Sequence, residues 1–232
     1  MEKTVAIYTL GCKTNQYESN AIIQEFINYG YKIVDFEESA DVYIVNTCTV
    51  TNMSDRKSRQ ILRRAKKRNK NSILVATGCY VQVSKGLLDE IKEIDIILGN
   101  NEKKDVVKYV EEFKQKREEK VTDLMKEKEY LEFGNTTYTE KTRAVIKIQD
   151  GCDNFCTYCI IPFARGRVRS RNIENIKSEI ERIAKLGIKE VVLTGIQIAS
   201  YGKDLDEDVS LIDLLEEINK INRNRKNKTS VH

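Results

Sequence analysis

Residues 152–159 read CDNFCTYC and place three thiols, those of Cys152, Cys156 and Cys159, in a C-x3-C-x2-C run. The run directly follows the apolar segment 144–148, so we expect it where a β-strand ends in a loop, a position that often carries functional groups. Three closely spaced cysteines with no fourth nearby suit an iron–sulfur cluster of the four-iron type, which needs four ligands. The fourth iron would then be open to an exogenous ligand, as in open catalytic metal sites.

A zinc site and a disulfide both fit this run less well than a cluster does. A structural zinc site needs a fourth ligand, and the one histidine in the sequence is His232. A disulfide would leave one thiol over, and residues 1–15 have a short apolar run that predicts a strand rather than a signal peptide. Six cysteines in a chain without a predicted signal peptide indicate a reducing compartment and metal binding, so we expect a cytoplasmic protein.

The composition excludes several functions. At 232 residues and 40% hydrophobic content, the chain can bury a core and is expected to form two domains. No apolar stretch approaches the ~20 residues that cross a bilayer, so no membrane partner is expected. A single histidine at position 232 argues against histidine acid–base catalysis, and no G-x-x-x-x-G-K-[ST] loop supports nucleoside triphosphate hydrolysis.

Residues 1–118 alternate between apolar strand-like runs and helices with apolar residues every three or four positions. The strands are predicted at 5–8, 41–45, 73–76 and 96–98. Strand–helix alternation with apolar strands is typical of a parallel sheet that is covered on both faces. The sequence therefore predicts an α/β fold with an N-terminal doubly wound parallel-sheet domain.

Three more cysteines, Cys12, Cys48 and Cys79, each follow one of the first three predicted strands. Ligands bind beyond the carboxyl ends of the strands in such sheets, and Gly11 and Gly78 would allow tight exits there. Buried cysteines that serve as small hydrophobic residues are the alternative. Three at equivalent strand ends favour a second metal cluster.

Two groups of basic residues lie next to the proposed clusters. The helix after Cys48 carries Arg56, Lys57, Arg59, Arg63, Arg64, Lys66, Lys67, Arg68 and Lys70, and the loop after Cys159 is followed by Arg165, Arg167, Arg169 and Arg171. Such runs are usually solvated faces. Because few acidic residues balance these two groups, we interpret them as surfaces that bind RNA phosphates.

The remainder of the chain predicts a second, incomplete domain. Residues 119–142 are charged and poor in apolar residues, which indicates a linker. Residues 143–221 hold about two βα units, whereas a closed barrel has eight. We expect no strand in residues 222–232 and interpret them as an aberrant tail on a truncated chain.

Several of these segments together resemble the radical SAM methylthiotransferase family. They are TLGCKTNQYES at 9–19, NTCTV at 46–50, TGCY at 77–80 and residues 151–171. The run at 152–159 is similar to the radical SAM signature, which has an aromatic residue before its last cysteine, here Tyr158. The stretch around Cys12 resembles most the branch that acts on N6-threonylcarbamoyladenosine beside the tRNA anticodon.

The resemblance implies a transferase with two [4Fe-4S] clusters and S-adenosylmethionine (SAM) as cofactors. Cys152, Cys156 and Cys159 would hold the cluster that cleaves SAM to a 5′-deoxyadenosyl radical, in an incomplete radical SAM (βα) barrel. Cys12, Cys48 and Cys79 would hold an auxiliary cluster that delivers sulfur. Tyr158, Thr194 and Gly195 would bind the SAM cofactor, and no side chain is assigned a catalytic role.

The resemblance further implies that a methylthio group is added to C2 of the adenine at position 37, with a second SAM supplying the methyl group. The expected partners are SAM, the anticodon stem-loop of tRNA and an electron donor protein. Three alternatives stay open: another tRNA adenosine as substrate, a protein side chain as substrate, and a non-catalytic metal- or RNA-binding module. The basic helix argues against the protein substrate, and the activity of a shortened chain is left open.

Overall fold

The computed structural model describes residues 2–84, 86–134, 143–205, 209–223 and 230–231. The chain divides into two compact units, Met1–Leu124 and Met125–His232. The division falls inside the predicted linker 119–142, of which residues 135–142 lie outside the described part. Most of the predicted tail, residues 224–229 and 232, also lies outside it.

The first unit is an α/β domain built on one parallel sheet. Its strands are β1 (Thr4–Thr9), β2 (Lys32–Ile33), β3 (Val42–Thr47), β4 (Ile73–Gly78), β5 (Ile96–Leu98) and β6 (Glu118–Lys120). Its helices are α1 (Lys13–Asn28), α2 (Asn52–Arg68), α3 (Cys79–Val83), α4 (Leu87–Glu90) and α5 (Val106–Glu112), with a 3-10 turn at Glu102–Asp105. The strand order β2-β1-β3-β4-β5-β6 reverses direction between β1 and β3, which is where such sheets bind ligands. The predicted doubly wound domain is confirmed.

Successive side chains of the strands point alternately into two hydrophobic cores, one on each face of the sheet. Tyr43 and Val45 pack in the core that contains Ile61 and Leu62 of α2. Ile44 packs in the other, with apolar residues of α1 and α5. Each fully buried aliphatic side chain of this kind contributes ~1.5–3 kcal/mol. Helix α2 therefore covers one face, and α1 and α5 cover the other.

Helix α2 begins and ends with residues that suit its termini. The Thr51 side chain accepts a hydrogen bond from the Ser54 amide, and Asp55 lies in the first turn. Lys66, Lys67 and Arg68 lie in the last turn, where positive charge is favourable for the helix dipole. These residues stabilise both ends of α2 while leaving it a basic outer face.

The second unit contains a three-stranded parallel sheet of order β11-β10-β7. Its elements are β7 (Arg143–Lys147), β8 (Gln149–Asp150), α6 (Ile161–Arg165), β9 (Arg169–Ser170), α7 (Ile173–Lys185), β10 (Glu190–Thr194), a 3-10 turn at Ile198–Ser200, α8 (Leu211–Arg223) and β11 (Ser230–Val231); a further 3-10 turn spans Leu124–Lys126. Strands β8 and β9 form an antiparallel pair. Helices α7 and α8 pack their apolar residues against β7 and β10 in a third core.

The structure differs from the expectation of no strand in residues 222–232. Ser230 and Val231 pair with Glu190 and Val191 of β10 in parallel. Two residues pair through their backbones and are too few to show any hydrophobic periodicity, so the sequence pattern missed them. The interpretation of these residues as an aberrant tail stays a prediction. Within the described ranges, no helix has the length and hydropathy to cross a membrane.

Candidate metal centres

The first three cysteines follow one edge of the parallel sheet. Thr9 of β1 is aligned with Asn46 of β3, and Asn46 is aligned with Thr77 of β4. Cys12, Cys48 and Cys79 follow this row of residues by two or three positions, at the carboxyl ends of three adjacent strands. Cys12 and Cys48 lie on either side of the point where the strand order reverses. The predicted placement of these cysteines at the strand ends is therefore correct.

Two glycines bring these strand ends close together. Gly11 has a φ of +96°, and a Cβ at this position would lie 2.7 Å from the sulfur of Cys48. The Cys48 sulfur therefore lies against the backbone next to Cys12. Gly78 has a φ of +97°, and its Cβ would lie 2.4 Å from the Thr47 carbonyl oxygen. A side chain would clash at both positions, so only glycine allows the strand ends to come this close together.

Buried amide side chains hold the loops that carry the cysteines. The Asn15 side chain donates hydrogen bonds to the carbonyl oxygens of Leu10 (2.8 Å) and Thr47 (3.0 Å) and so connects the ends of β1 and β3. The Asn46 side chain donates to the Asn15 carbonyl oxygen at 3.0 Å, and the Ser58 hydroxyl of α2 donates to the Cys48 carbonyl oxygen at 3.2 Å. These polar residues were not predicted to have a role. For Asn46, the indication that could have found it is its position directly after the apolar strand predicted at 41–45.

A buried ion pair connects α1 to the loop after β5 in the first unit. Lys103 donates to the Glu18 carboxylate, and both side chains are almost completely buried. A buried pair is costly to desolvate, so it is weak evidence for stability, but removal of one partner leaves an uncompensated charge. This pair was not predicted, because charged residues are usually placed at the surface when a sequence is interpreted.

The cysteines of the first triad differ in their exposure to solvent. Cys12 is exposed while Cys48 and Cys79 are buried, and none of the six cysteines forms a disulfide. In the described part of the chain, no three Cys, His, Asp or Glu residues are grouped closely enough to hold one metal ion. A four-iron cluster binds each cysteine through a different iron. The three cysteines at this sheet edge are the candidate ligands for such a cluster.

The second triad lies in one loop between β8 and α6. Cys152 is buried and its amide donates to the Gly166 carbonyl oxygen at 3.0 Å, whereas Cys156 is exposed. The Cys159 amide donates to the Cys156 carbonyl oxygen at 2.9 Å, which closes a turn. The structure thus brings these three residues into one short anchored loop, with Tyr158 91% exposed on it.

Phe155 on this loop has an unusual backbone conformation. Its φ is +45°, which is uncommon for a residue other than glycine and is often found at functional sites. The Arg167 guanidinium lies 4.8 Å from the centre of the Phe155 ring. The ring therefore stays beside the cysteine loop although it is partly exposed. No pattern in the sequence indicated this conformation.

Charged residues are buried beneath the loop. The Asp150 carboxylate accepts a hydrogen bond from Lys147 at 2.8 Å and lies 3.4 Å from Arg165 and 3.9 Å from Arg169. It also accepts a hydrogen bond from the Gly151 amide at 2.9 Å, which fixes the direction in which the chain enters the loop. Asp150 was not predicted as a site residue, since a lone carboxylate gives no distinctive pattern.

The burial of the arginines after the cysteine loop contradicts the prediction that this group binds RNA. Arg165, Arg169 and Arg171 are at least 97% buried, so the interpretation of this group as an RNA-binding surface is wrong for them. Their charges are paired with acidic side chains, as that of Arg171 is with Glu132 and Glu179. Of the four, only Arg167 is exposed.

Thr194 and Gly195, the expected SAM contacts, lie at the carboxyl end of β10. Thr194 is aligned with Lys147 at the end of β7, and its carbonyl oxygen accepts a hydrogen bond from the Ile148 amide at 2.8 Å. A Cβ on Gly195 would lie 2.9 Å from the side-chain oxygen of Gln149, which also accepts from the Gln197 amide at 2.7 Å. Both residues are therefore at the sheet edge from which the cysteine loop starts.

One further residue stabilises this region. The Tyr201 hydroxyl donates to the Arg171 carbonyl oxygen at 2.7 Å, and burial raises the pKa of Tyr201 above its ordinary value. The phenol therefore stays protonated as a donor at neutral pH. This contact connects the segment after β10 to the strand β9 region.

Comparison with known proteins assigns both units to families. Residues 4–99 match the model of Uncharacterized protein family UPF0004, and residues 146–229 match that of the Radical SAM superfamily. The chain is 46% identical over 219 residues to the threonylcarbamoyladenosine tRNA methylthiotransferase MtaB of Aquifex aeolicus, covering 94% of this chain and 53% of that protein. It is 44% identical to the protein of the same name from Bacillus subtilis, with 93% and 48% covered.

More distant relatives agree with this assignment. The chain is 38% identical to a tRNA-2-methylthio-N(6)-dimethylallyladenosine synthase of Clostridium botulinum, with 93% of this chain and 49% of that protein covered. The radical SAM methyltransferase TsrM of Kitasatospora setae shares the fold with a TM-score of 0.64 at 15% identity, with 98% and 54% covered. The chain spans about half the length of the curated relatives it matches. The second unit thus matches the Radical SAM superfamily, and over 93–94% of its length the chain is similar to tRNA methylthiotransferases.

Proposed function

We propose that this chain provides the cluster-binding part of a tRNA methylthiotransferase that modifies C2 of N6-threonylcarbamoyladenosine at position 37, next to the anticodon. The names of the Aquifex and Bacillus relatives support the substrate. The observation that carries the proposal is the arrangement of the cysteines. One triad lies at a single sheet edge with Cys48 against Gly11, and the other lies in one anchored loop.

The six cysteines would hold two [4Fe-4S] clusters, one in each unit. Cys12, Cys48 and Cys79 are the ligands of the first, and Cys152, Cys156 and Cys159 are those of the second. With SAM bound, such clusters supply radical chemistry for an aromatic C2–H, which has no acidic proton that a base could remove. An electron donor protein is a required partner, and a cytoplasmic location suits reduced thiols.

The protein's own residues hold these groups in position. Asp150 fixes the Gly151 amide at the start of the loop, so that Cys152 stays buried while Cys156 remains accessible. Tyr158 presents an exposed ring that suits the adenine of SAM. Gly195 packs closely against Gln149 at the end of β10, where it would present its backbone to the same cofactor.

Anaerobic reconstitution tests the cofactor assignment. With iron and sulfide the chain should take up about eight irons, and with dithionite it should convert SAM to 5′-deoxyadenosine. Uptake of a single zinc ion without SAM cleavage would instead support a non-catalytic metal-binding module.

The substrate requires a measurement on RNA. The chain, completed with the rest of a family member, should restore the 2-methylthio derivative of N6-threonylcarbamoyladenosine in a strain that lacks its own enzyme, as measured by nucleoside mass spectrometry. Restoration of the isopentenyladenosine derivative alone would assign the chain to the other tRNA branch. Clusters and SAM cleavage without any change in the RNA nucleosides would refute a tRNA substrate.

A further inference from the structure

A basic cleft runs along the outer face of helix α2. It has a volume of about 680 Å³ and is lined by Arg56, Arg59, Gln60, Arg63, Arg64 and Lys67. These positions recur every three or four residues, so they share one face of the helix. The opposite face buries Ile61, Leu62 and Ala65 in the core. The cleft therefore lies on the side of α2 that faces away from the core.

The charges of this cleft are only partly neutralised. Arg59 contacts Tyr80 and Glu90, and Arg64 pairs with Glu37. Lys67 and two arginines, Arg56 and Arg63, are exposed, and their side chains form no ion pair or hydrogen bond with any residue that the structure describes.

This arrangement differs from an ordinary solvated helix face. Like charges four residues apart, such as Arg63 and Lys67, destabilise a helix, and acidic residues at that spacing would relieve the repulsion. The cleft has no acidic residue among those that line it. Unrelieved repulsion along a defined cleft is expected where an external anion supplies the compensating charge.

We propose that this cleft binds the phosphate backbone of an RNA strand, an inference that rests on the proposed function for the identity of its partner. Arg56 and Lys67 are eleven positions apart, which corresponds to about 16 Å along the helix axis. A cleft of this length can lie alongside several successive phosphates of one strand, so its five cations can contact more than one phosphate.

The residue types also suit phosphate. Four of the five cations are arginines, whose planar guanidinium group can donate two parallel hydrogen bonds to a phosphate. Gln60 adds a neutral donor within the cleft. Contacts of this kind position a nucleic acid without reading its sequence.

An acidic electron donor protein is the competing occupant, and the direction of α2 argues against it. The helix begins at Asn52, shortly after Cys48, and runs away from the cysteine edge. Lys67 lies about 22 Å along the axis from the helix start. An electron donor must approach a cluster, so it gains little from cations that far along the helix, whereas an extended strand can contact all of them.

The test compares two triple variants of the whole chain. Arg56→Gln, Arg63→Gln and Lys67→Gln remove three charges from the cleft. Lys104→Gln, Lys108→Gln and Lys114→Gln remove three exposed charges on and next to α5, which covers the opposite face of the sheet. The probe is an unmodified RNA hairpin with the sequence of an anticodon stem-loop, and its dissociation constant is measured over a range of salt concentrations. Circular dichroism checks that both variants fold.

The cleft variant should bind the hairpin about 50-fold more weakly at ~0.15 M salt, since three lost phosphate contacts lower the slope of log K against log salt by about 2. The control variant should change affinity by less than about threefold, through long-range charge alone. Equal losses in the two variants, or no loss in the cleft variant, would overturn the proposal. So would a cleft variant that keeps hairpin affinity and loses its rate of reduction by an acidic flavoprotein.

SAM cleavage with dithionite, measured on the same preparations, separates this proposal from the proposed function. It depends on the cysteine loop of the second unit and not on α2. Hairpin binding that follows the cleft charges, in a protein that takes up no clusters, would refute the proposed enzyme and keep the RNA site. Normal SAM cleavage together with a hairpin affinity that does not depend on the charges of α2 would refute the RNA site and keep the proposed enzyme.

Discussion

Replacement of Gly78 by alanine tests whether the tight exit of β4 holds the first cysteine triad together. Gly78 has φ +97° and ψ −169°, a conformation that is essentially restricted to glycine. An added Cβ would lie 2.4 Å from the Thr47 carbonyl oxygen and 2.6 Å from both the Thr47 nitrogen and the Asn46 side-chain oxygen. Two of these three neighbours are backbone atoms of β3, which cannot rotate away.

The cost of this substitution has two parts. The backbone strain costs about 1–3 kcal/mol, and the forced repacking costs about 1–3 kcal/mol, which together give about 2–6 kcal/mol. The chain can reduce this cost by separating the ends of β3 and β4. Since Cys48 and Cys79 follow directly after those ends, the separation would move two of the three proposed ligands apart.

Gly30 provides a matched control for Gly78. It also has a positive φ, +81°, but nothing lies within 4 Å of the position of its Cβ. Gly30→Ala therefore carries backbone strain of about 1–2 kcal/mol without a clash. It lies after α1, away from the cysteine edge of the sheet.

Iron content and SAM cleavage after anaerobic reconstitution measure the outcome. The Gly78→Ala variant should retain about half of the wild-type iron and should cleave SAM at the wild-type rate, because the second triad lies in the other unit. The Gly30→Ala variant should retain all of its iron. Full iron in Gly78→Ala, or the same loss in both variants, would show that the exit of β4 does not hold the ligands.

Three further predictions concern single residues. Cys156→Ala should abolish SAM cleavage while Cys48→Ala spares it and, in a chain completed with the rest of a family member, blocks sulfur transfer; equal loss of cleavage would refute the division of roles between the two triads. Lys103→Met should lower the free energy of unfolding by about 3–5 kcal/mol in urea, because it leaves the Glu18 carboxylate buried without its cation. Adding Glu18→Gln should recover most of that loss, and a double variant as unstable as the single one would contradict this reason. Hydrogen bonds from Tyr31 and Lys3 hold the pKa of Glu111 below its usual value. The contribution of Glu111 to the free energy of unfolding is therefore present above pH about 4.5 and is lost as the pH falls. Glu111→Gln should therefore lower stability by less than about 1 kcal/mol at pH 7 and make the acid side of the stability profile shallower, and an unchanged acid side would refute this assignment.

The parts of the fold that could be predicted from the sequence are those with strong hydrophobic patterns. Strands β1, β3, β4 and β5 contain apolar runs, so their positions followed from the hydrophobic pattern. Strands β2 and β6 were missed. They read KI and EEK, and they lie at the two edges of the sheet, where backbone pairing with one neighbour needs no apolar side chains.

The charged residues were the hardest to place from the sequence. Arg63 in α2 and Arg165 after the cysteine loop both belong to dense basic runs, yet the first is exposed and the second is completely buried. The difference is that Asp150, which precedes Arg165 by fifteen positions in the sequence, lies 3.4 Å from it in space. A charge pattern along the chain contains no information about such partners.

The placement of Cys12, Cys48 and Cys79 at one edge of the sheet depends on strand order, which their spacing in the sequence does not reveal. Adjacent strands lie about 4.8 Å apart, so three cysteines at the ends of β1, β3 and β4 span about 10 Å across the sheet, a distance that side chains around one cluster can bridge. One additional strand inserted between β1 and β3 would widen this span by half. The reversal of strand order at β1 and β3 therefore supports the proposed shared cluster, and the tight exit at Gly11 lets Cys48 lie against the backbone next to Cys12.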